Sequence, residues 1–515
     1  GDIIHSEPVV VYYPDPDNNP STDDQKTMIF SGSNDGILHC IDDDDGSEAW
    51  GFIPPNQLGR LPLLNDSVHD YYVDGSPVVY YGPSQSILIA GERRGGSNYT
   101  ALDITSPTEP RWLYSIDRTF LCPSPCSDPD TDIYERLGQS WAKPEKATIA
   151  TGYTVSLPSC TVENTTEDVF LIAGGYDINQ DQPTPAAQDT EGRALFAINA
   201  AAGQLMSNFN FNGTASGIGL THSIVDAAAI DHDGDGIASR IYAGDLGGNV
   251  FAFKDDHLET LSTCTPIVER VIADGQWETA FKLFEASEPG VQRKILYAPD
   301  AVGEIFGEYI FFGTGDRTDP GETTVVNRFY AVKNDWSASG TPLTESDLED
   351  VTDDLIQLGN ETEKATAKSN LENGNGWFFE LENAGEKVVS SPKVYGSVVY
   401  FTTYTPTTAS TPDPSDPCAV STVRGVARLY AVDYKTGASV LDLSSETETD
   451  SSGDTFVGMG KKDRSIAIGT AIPSAPVIAI LGGGARIFIG VEGGIVSLPA
   501  IDTRDMHTYY WTQVY

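Results

Sequence analysis

Met28-Ile-Phe-Ser-Gly-Ser-Asn-Asp-Gly-Ile-Leu-His-Cys-Ile-Asp42 is the stretch that decides the fold. An apolar run ends at Gly32, Asn34-Asp-Gly36 supplies a turn, and a second short run closes as apolar-polar-Cys-apolar-polar. Short runs bounded by such turn residues read as strand, turn, strand. The same unit recurs at 87–103, 169–199, 240–254, 309–333, 398–433 and 486–498. Its closing strand is recognisable in Leu195-Phe-Ala-Ile-Asn199, Phe329-Tyr-Ala-Val-Lys333 and Leu429-Tyr-Ala-Val-Asp433. Periodic self-similarity of this kind is the mark of a repeat architecture.

A Ser/Pro-bearing strand often precedes the unit, as in His5-Ser-Glu-Pro-Val-Val10, Gly75-Ser-Pro-Val-Val79, Ser390-Ser-Pro-Lys-Val394 and Pro473-Ser-Ala-Pro-Val477. A fourth strand often follows, as in Glu48-Ala-Trp-Gly-Phe52 and, at the end, His507-Thr-Tyr-Tyr-Trp-Thr-Gln-Val514. Seven units of about four strands, each covering its neighbour's face, predict an all-β fold, a seven-bladed β-propeller. Proline is tolerated in the first strand of a blade, where one side faces the channel. A pair of stacked β-sandwiches fits the regular period less well. We expect one propeller domain over 1–515, with loop insertions at about 113–140, 334–375 and 406–418. The second insertion carries a predicted short helix at 346–358, apolar at Leu348, Val351 and Leu355. Insertions on a rigid scaffold are natural recognition surfaces.

Directly before the fourth unit lies Asp231-His-Asp-Gly-Asp-Gly-Ile-Ala-Ser239. Three carboxylates at alternate positions, Asp231, Asp233 and Asp235, turn toward one point, and glycine permits the bend that brings a backbone carbonyl there too. An all-oxygen set suits a hard cation, Ca²⁺ rather than Mg²⁺. Without one, two carboxylates about 5 Å apart repel by roughly 3 kcal/mol at an effective dielectric near 20. The plain alternative is a solvated acidic turn, which is how the run Asp42-Asp-Asp-Asp-Gly46 reads. The loop is not an EF-hand, because its twelfth position is Tyr242 and strands flank it. His232 points away from the ion by alternation and is expected to face solvent.

Lys+Arg 31 against Asp+Glu 75 gives a formal charge of −44. So acidic a surface repels nucleic acid and anionic headgroups, and neither is an expected partner. No apolar run approaches membrane-spanning length, and the chain opens at Gly1 without a basic-then-apolar leader, which reads as a processed chain or a fragment. Six cysteines include Cys122-Pro-Ser-Pro-Cys126, the expected local disulfide, and lean toward an oxidising compartment.

These residues together resemble the C-terminal β-propeller domain of the PilY/PilC proteins of type IV pili. The resemblance runs through Gly1-Asp-Ile-Ile-His-Ser-Glu-Pro8, Asn34-Asp-Gly-Ile-Leu-His39, Tyr71-Tyr-Val-Asp-Gly-Ser-Pro77 and Leu137-Gly-Gln-Ser-Trp-Ala-Lys-Pro144. It continues in the acidic loop with Arg240-Ile-Tyr-Ala-Gly-Asp-Leu-Gly-Gly-Asn-Val-Phe-Ala-Phe253, then Phe311-Phe-Gly-Thr-Gly315, Gly376-Trp-Phe-Phe379, Val389-Ser-Ser-Pro392 and Val399-Tyr-Phe-Thr-Thr403. It implies a secreted protein, at the pilus tip or in the periplasm and outer membrane, that works with minor pilins in pilus assembly and adheres to host or abiotic surfaces. It also implies a calcium loop of the form DxDxDGxxD, associated with pilus extension and retraction. Carried over, Asp231, Asp233 and Asp235 are side-chain ligands and Ile237 gives its carbonyl. Ser239 replaces the closing aspartate, which predicts binding weaker than an aspartate would give. No Arg-Gly-Asp adhesion tripeptide is present.

Two other readings remain open. A quinoprotein dehydrogenase has a similar propeller, and 42–50 resembles its tryptophan-docking repeat. However, the chain has only seven Trp, 433–437 lacks the trailing Trp, and no vicinal Cys pair occurs. A periplasmic or outer-membrane scaffold propeller shares the blade grammar but not the acidic loop. Hydrolase chemistry has little support, since no motif joins the seven His to a Ser or a metal set. The chain is therefore expected not to be an enzyme. Calcium in such a loop can serve either as a switch or as a structural staple.

Overall fold

Each of the seven sequence units forms the second and third strands of its own sheet. The pairs are Lys26–Gly32 with Leu38–Asp42, Ser86–Gly91 with Tyr99–Asp103, Thr161–Ala173 with Ala194–Asn199, and Arg240–Asp245 with Asn249–Lys254. They continue with Gly307–Gly313 and Arg328–Asn334, Val398–Pro406 and Gly425–Asp433, and Gly484–Val491 and Gly494–Pro499. The computed structural model is thus a seven-bladed β-propeller, as the repeat predicts. It describes residues 1–14, 25–65, 69–117, 137–182, 185, 187–213, 217–304, 307–337, 340–407, 425–441, 447–482 and 484–500. Cys122, Cys126, the predicted last strand at 507–514 and most of the 406–418 insertion lie outside these residues.

Second strands are flanked on both edges, and those of the fourth and fifth blades are also covered on both faces, which explains their apolar runs. Arg240–Asp245 is buried at every position, and Gly307–Gly313 at all but the first. First strands begin just after their prolines, at Val9, Val78 and Val477. Pro8, Pro77 and Pro476 therefore sit ahead of the ladder, where a missing N–H costs no strand pairing. Asp43, Asp44 and Asp45 form the expected plain turn between Leu38–Asp42 and Glu48–Phe52.

The chain divides into two compact units, 1–241 with 253–280 and 242–252 with 281–515. The first holds a core between the first two blades, built on Val11, Met28, Phe30, Leu88 and Leu102. There the Trp50 indole donates to the Pro107 carbonyl at 2.9 Å. The second unit is organised by an aromatic stack: Phe329 and Phe401 lie 3.8 Å apart at 3°, and Tyr430 continues it 4.7 Å from Phe401.

The insertion at 334–375 differs from its sequence reading. Residues 346–358 are not one helix. Glu345–Asp347 is a 3-10 turn, Glu349–Asp350 pairs in parallel with Gly376–Glu380, and only Leu355–Leu358 is helical. The physical reason is local: Val351 is buried in the blade core, and Asp354 takes a positive φ of 51° that interrupts a continuous helix. The longer helix is Glu361–Asn373, started by Asn360, whose side chain accepts from the Thr362 and Glu363 N–H groups. Among the described residues no helix is long and apolar enough to cross a membrane.

A disulfide joins Cys160 to Cys264, 104 residues apart in sequence. Cys160 lies in the turn between Glu145–Ser156 and Thr161–Ala173, and Cys264 in the turn between His257–Leu261 and Val268–Ile272. Leu261 and Ile272 pack with both cysteines against Tyr153, Val155 and Val162, so the two hairpin tips share a small core. Nothing in the spacing of these cysteines announces the pair.

Candidate metal centre

The acidic loop connects Ile224–Ile230 to Arg240–Asp245 in the fourth blade. Gly234 and Gly236 adopt φ of 79° and 89°, the left-handed region that a side chain resists, and the chain folds back on itself there. The Asp231 carboxylate organises the turn. Its Oδ1 accepts from the Gly234 N–H at 2.8 Å and the Asp235 N–H at 3.2 Å, and its Oδ2 accepts from the Gly236 N–H at 2.9 Å. Asp235 Oδ1 accepts from the Ile237 N–H at 2.8 Å.

This folding brings one carboxylate oxygen from each of Asp231, Asp233 and Asp235 within 4.8 Å of one another at the surface. It is the one such group of three among the described residues. Burial raises the Asp235 pKa above the usual carboxylate value, the Ile237 N–H opposes that shift, and the charges of Asp233 and Asp231 add to it. The donor set fits a hard divalent cation: all oxygen, three formal negative charges, and lone pairs left over after the backbone hydrogen bonds. A cation there would be held by Asp231, Asp233 and Asp235 and would cancel their mutual repulsion.

The other two predicted positions stand differently. Ile237 is half-buried and uses its N–H within the loop. Ser239 is buried at the base, where its N–H donates to the Ile230 carbonyl at 3.1 Å. Its hydroxyl lies 3.4 Å from the Arg240 guanidinium, which also pairs with Asp256. His232 is exposed, as alternation predicts.

The base of the loop is tied to both disulfide-linked hairpins. The Ala238 N–H donates to the Thr148 carbonyl at 2.7 Å, on the first strand of one hairpin. The Ser239 carbonyl accepts from the Asp255 N–H at 3.0 Å, just before the first strand of the other. Sequence reasoning missed these ties because their partners come from distant turns, and only the adjacent Asp255-Asp256 hints at a mate for Arg240.

A second arrangement departs from the sequence reading. Ser33 Oγ lies 3.1 Å from His39 Nε2, and His39 Nδ1 lies 2.7 Å from Glu48 Oε1, the order of a nucleophile, a base and an orienting acid. Ser33 is only 1% exposed, however, and its hydroxyl donates to Asp35. A nucleophile closed off in this way meets no substrate, and the line, running from buried Ser33 to exposed Glu48, acts as a polar brace for the first blade.

Comparison with known proteins agrees with the resemblance read from the sequence. A family model described as the PilY1 beta-propeller domain matches residues 1–327. The type IV pilus biogenesis factor PilY1 of Pseudomonas aeruginosa strain PAO1 is 27% identical over 523 residues, covering 88% of this chain and 40% of that protein. A PilY1 homolog of Xylella fastidiosa is 26% identical over 427 residues, covering 73% of this chain and 24% of that protein. The chain thus spans less than half the length of these relatives. The crystal structure of the Pseudomonas aeruginosa PilY1 C-terminal domain superposes with a TM-score of 0.57 at 20% identity, covering 92% of this chain and 93% of that one.

Proposed function

This chain belongs to the family of PilY1 beta-propeller domains, and on that premise we propose that it is the calcium-binding propeller of a type IV pilus biogenesis factor. In this reading it acts without catalysis, in pilus assembly, extension and retraction and in surface adhesion. Its partners are minor pilins at the pilus tip, and its place is the cell surface or the periplasm and outer membrane. The observation that carries the reading is the convergence of Asp231, Asp233 and Asp235 within 4.8 Å in one turn of that family's propeller.

Calcium would be held by Asp231, Asp233 and Asp235, with the Ile237 carbonyl and Ser239 completing the shell. Binding free energy is available only in conformations that order the turn, so the ion stabilises whatever the turn holds. Here the turn holds Thr148 and Asp255 at the roots of two hairpins. In cells, Asp235→Ala should reduce pilus number and twitching. If calcium binding is lost while both stay at wild-type level, the ion is a staple and has no part in pilus function.

Ser239 sets the affinity. A neutral hydroxyl beside the Arg240 guanidinium contributes less attraction for a cation than a carboxylate there would. Ser239→Asp is expected to tighten calcium binding several-fold in calorimetry. Unchanged affinity in that variant removes residue 239 from the ligand shell.

A further inference from the structure

The two hairpins joined by Cys160 and Cys264 have a covered side and an open side. Leu261 and Ile272 face inward and are buried. Leu258 and Val271 stand directly opposite each other on the other face and are 63% and 67% exposed. Ile267 and Leu157, each three residues from a bridged cysteine, are 64% and 58% exposed. Successive residues of a strand point to opposite faces, and the solvent side of a two-stranded sheet is ordinarily polar. On the outer face of His257–Leu261 and Val268–Ile272, Leu258 and Val271 form an open apolar pair, and such a pair marks an interaction surface.

The charges around it select the occupant. By strand alternation the charged side chain on the outer face of 257–272 is Glu269, whereas Glu259 and Arg270 lie on the side of Leu261 and Ile272. Arg270 lies directly opposite Glu259 in the ladder, while Glu269 shares the outer face with Val271. An apolar pair bordered by uncompensated carboxylate fits apolar side chains bordered by lysine or arginine. A second copy would bring the same acidic border against itself, within a chain of formal charge −44.

We propose that the open face of the disulfide-stapled hairpin 257–272, with Leu258, Val271 and Glu269, is a docking surface for a protein partner presenting apolar side chains flanked by lysine or arginine. Resting on the pilus reading above, that partner is a subunit of the pilus. The disulfide holds both hairpins in place before contact, which lowers the ordering cost of binding. The test is co-sedimentation of the full chain with sheared type IV pili of the same bacterium. The wild-type chain should sediment with the fibres, and Leu258→Glu with Val271→Glu should cut the bound fraction at least tenfold. Glu269→Lys should also lower it, with melting of all variants unchanged because these side chains are exposed. Wild-type sedimentation by the double variant overturns the docking face alone. No sedimentation of the wild-type chain overturns the pilus reading and this inference with it. A wild-type dimer in sedimentation velocity that the double variant abolishes assigns the face to a second copy and overturns it likewise.

Discussion

Phe401→Ala is expected to destabilise the protein by about 3–5 kcal/mol, the usual cost of emptying a buried phenylalanine site. Phe401 is fully buried between Phe329 of the preceding blade and Tyr430 of its own sheet, stacked within 3° and 12° of their planes. Trp377, Phe379 and Val388 complete the surround. Because these partners belong to sheets that are themselves hydrogen-bonded, they cannot collapse into the void, and the cost should fall in the upper part of the range. Phe401→Leu keeps much of the volume and should cost less, about 1–1.5 kcal/mol. Urea unfolding followed by fluorescence measures both. A loss below about 1 kcal/mol for the alanine variant would mean that the blades do not meet through this stack.

Calcium dependence gives the second large effect. At a free concentration a hundredfold above its Kd, an ion that binds the folded state alone stabilises it by about 2.7 kcal/mol. Asp235→Asn should remove most of that gain while leaving an amide oxygen to accept from the Ile237 N–H. The comparison also reverses sign. The Asp235 pKa is raised in the folded state, so at neutral pH its ionised form opposes folding when no cation is present. In chelator the variant should therefore melt at or above the wild-type temperature, and in calcium below it. Equal melting shifts on adding calcium would separate Asp235 from the ion.

The blades were legible because each second strand carries a short apolar run, such as Met28-Ile-Phe30, Val169-Phe-Leu-Ile-Ala173 and Ile487-Phe-Ile489, that ends near glycine. The acidic loop was legible for a related reason: all three carboxylates lie within five residues, so their convergence needs only a turn. What the sequence hid is what depends on distant pairing. Cys160 meets Cys264 because successive blades place two hairpin tips together, and no local signal encodes that. Ser33, His39 and Glu48 align only through the register that sets His39 opposite Gly51. Helix Glu361–Asn373 escaped notice because it buries only Ala367 and Leu371 and so lacks an apolar stripe. Its Asn360 and Glu363 capping pair was the available cue. Apolar spacing misled at 346–358, where Leu348 and Val351 flank the added strand Glu349–Asp350 rather than sharing one helix face.

The most direct test of the account is a calorimetric titration of calcium into the chelator-stripped full chain, beside Asp231→Ala and Asp233→Ala variants. The account predicts one ion bound per wild-type chain and none with comparable affinity in either variant. No saturable heat in the wild type, or the same isotherm in all three proteins, would contradict it.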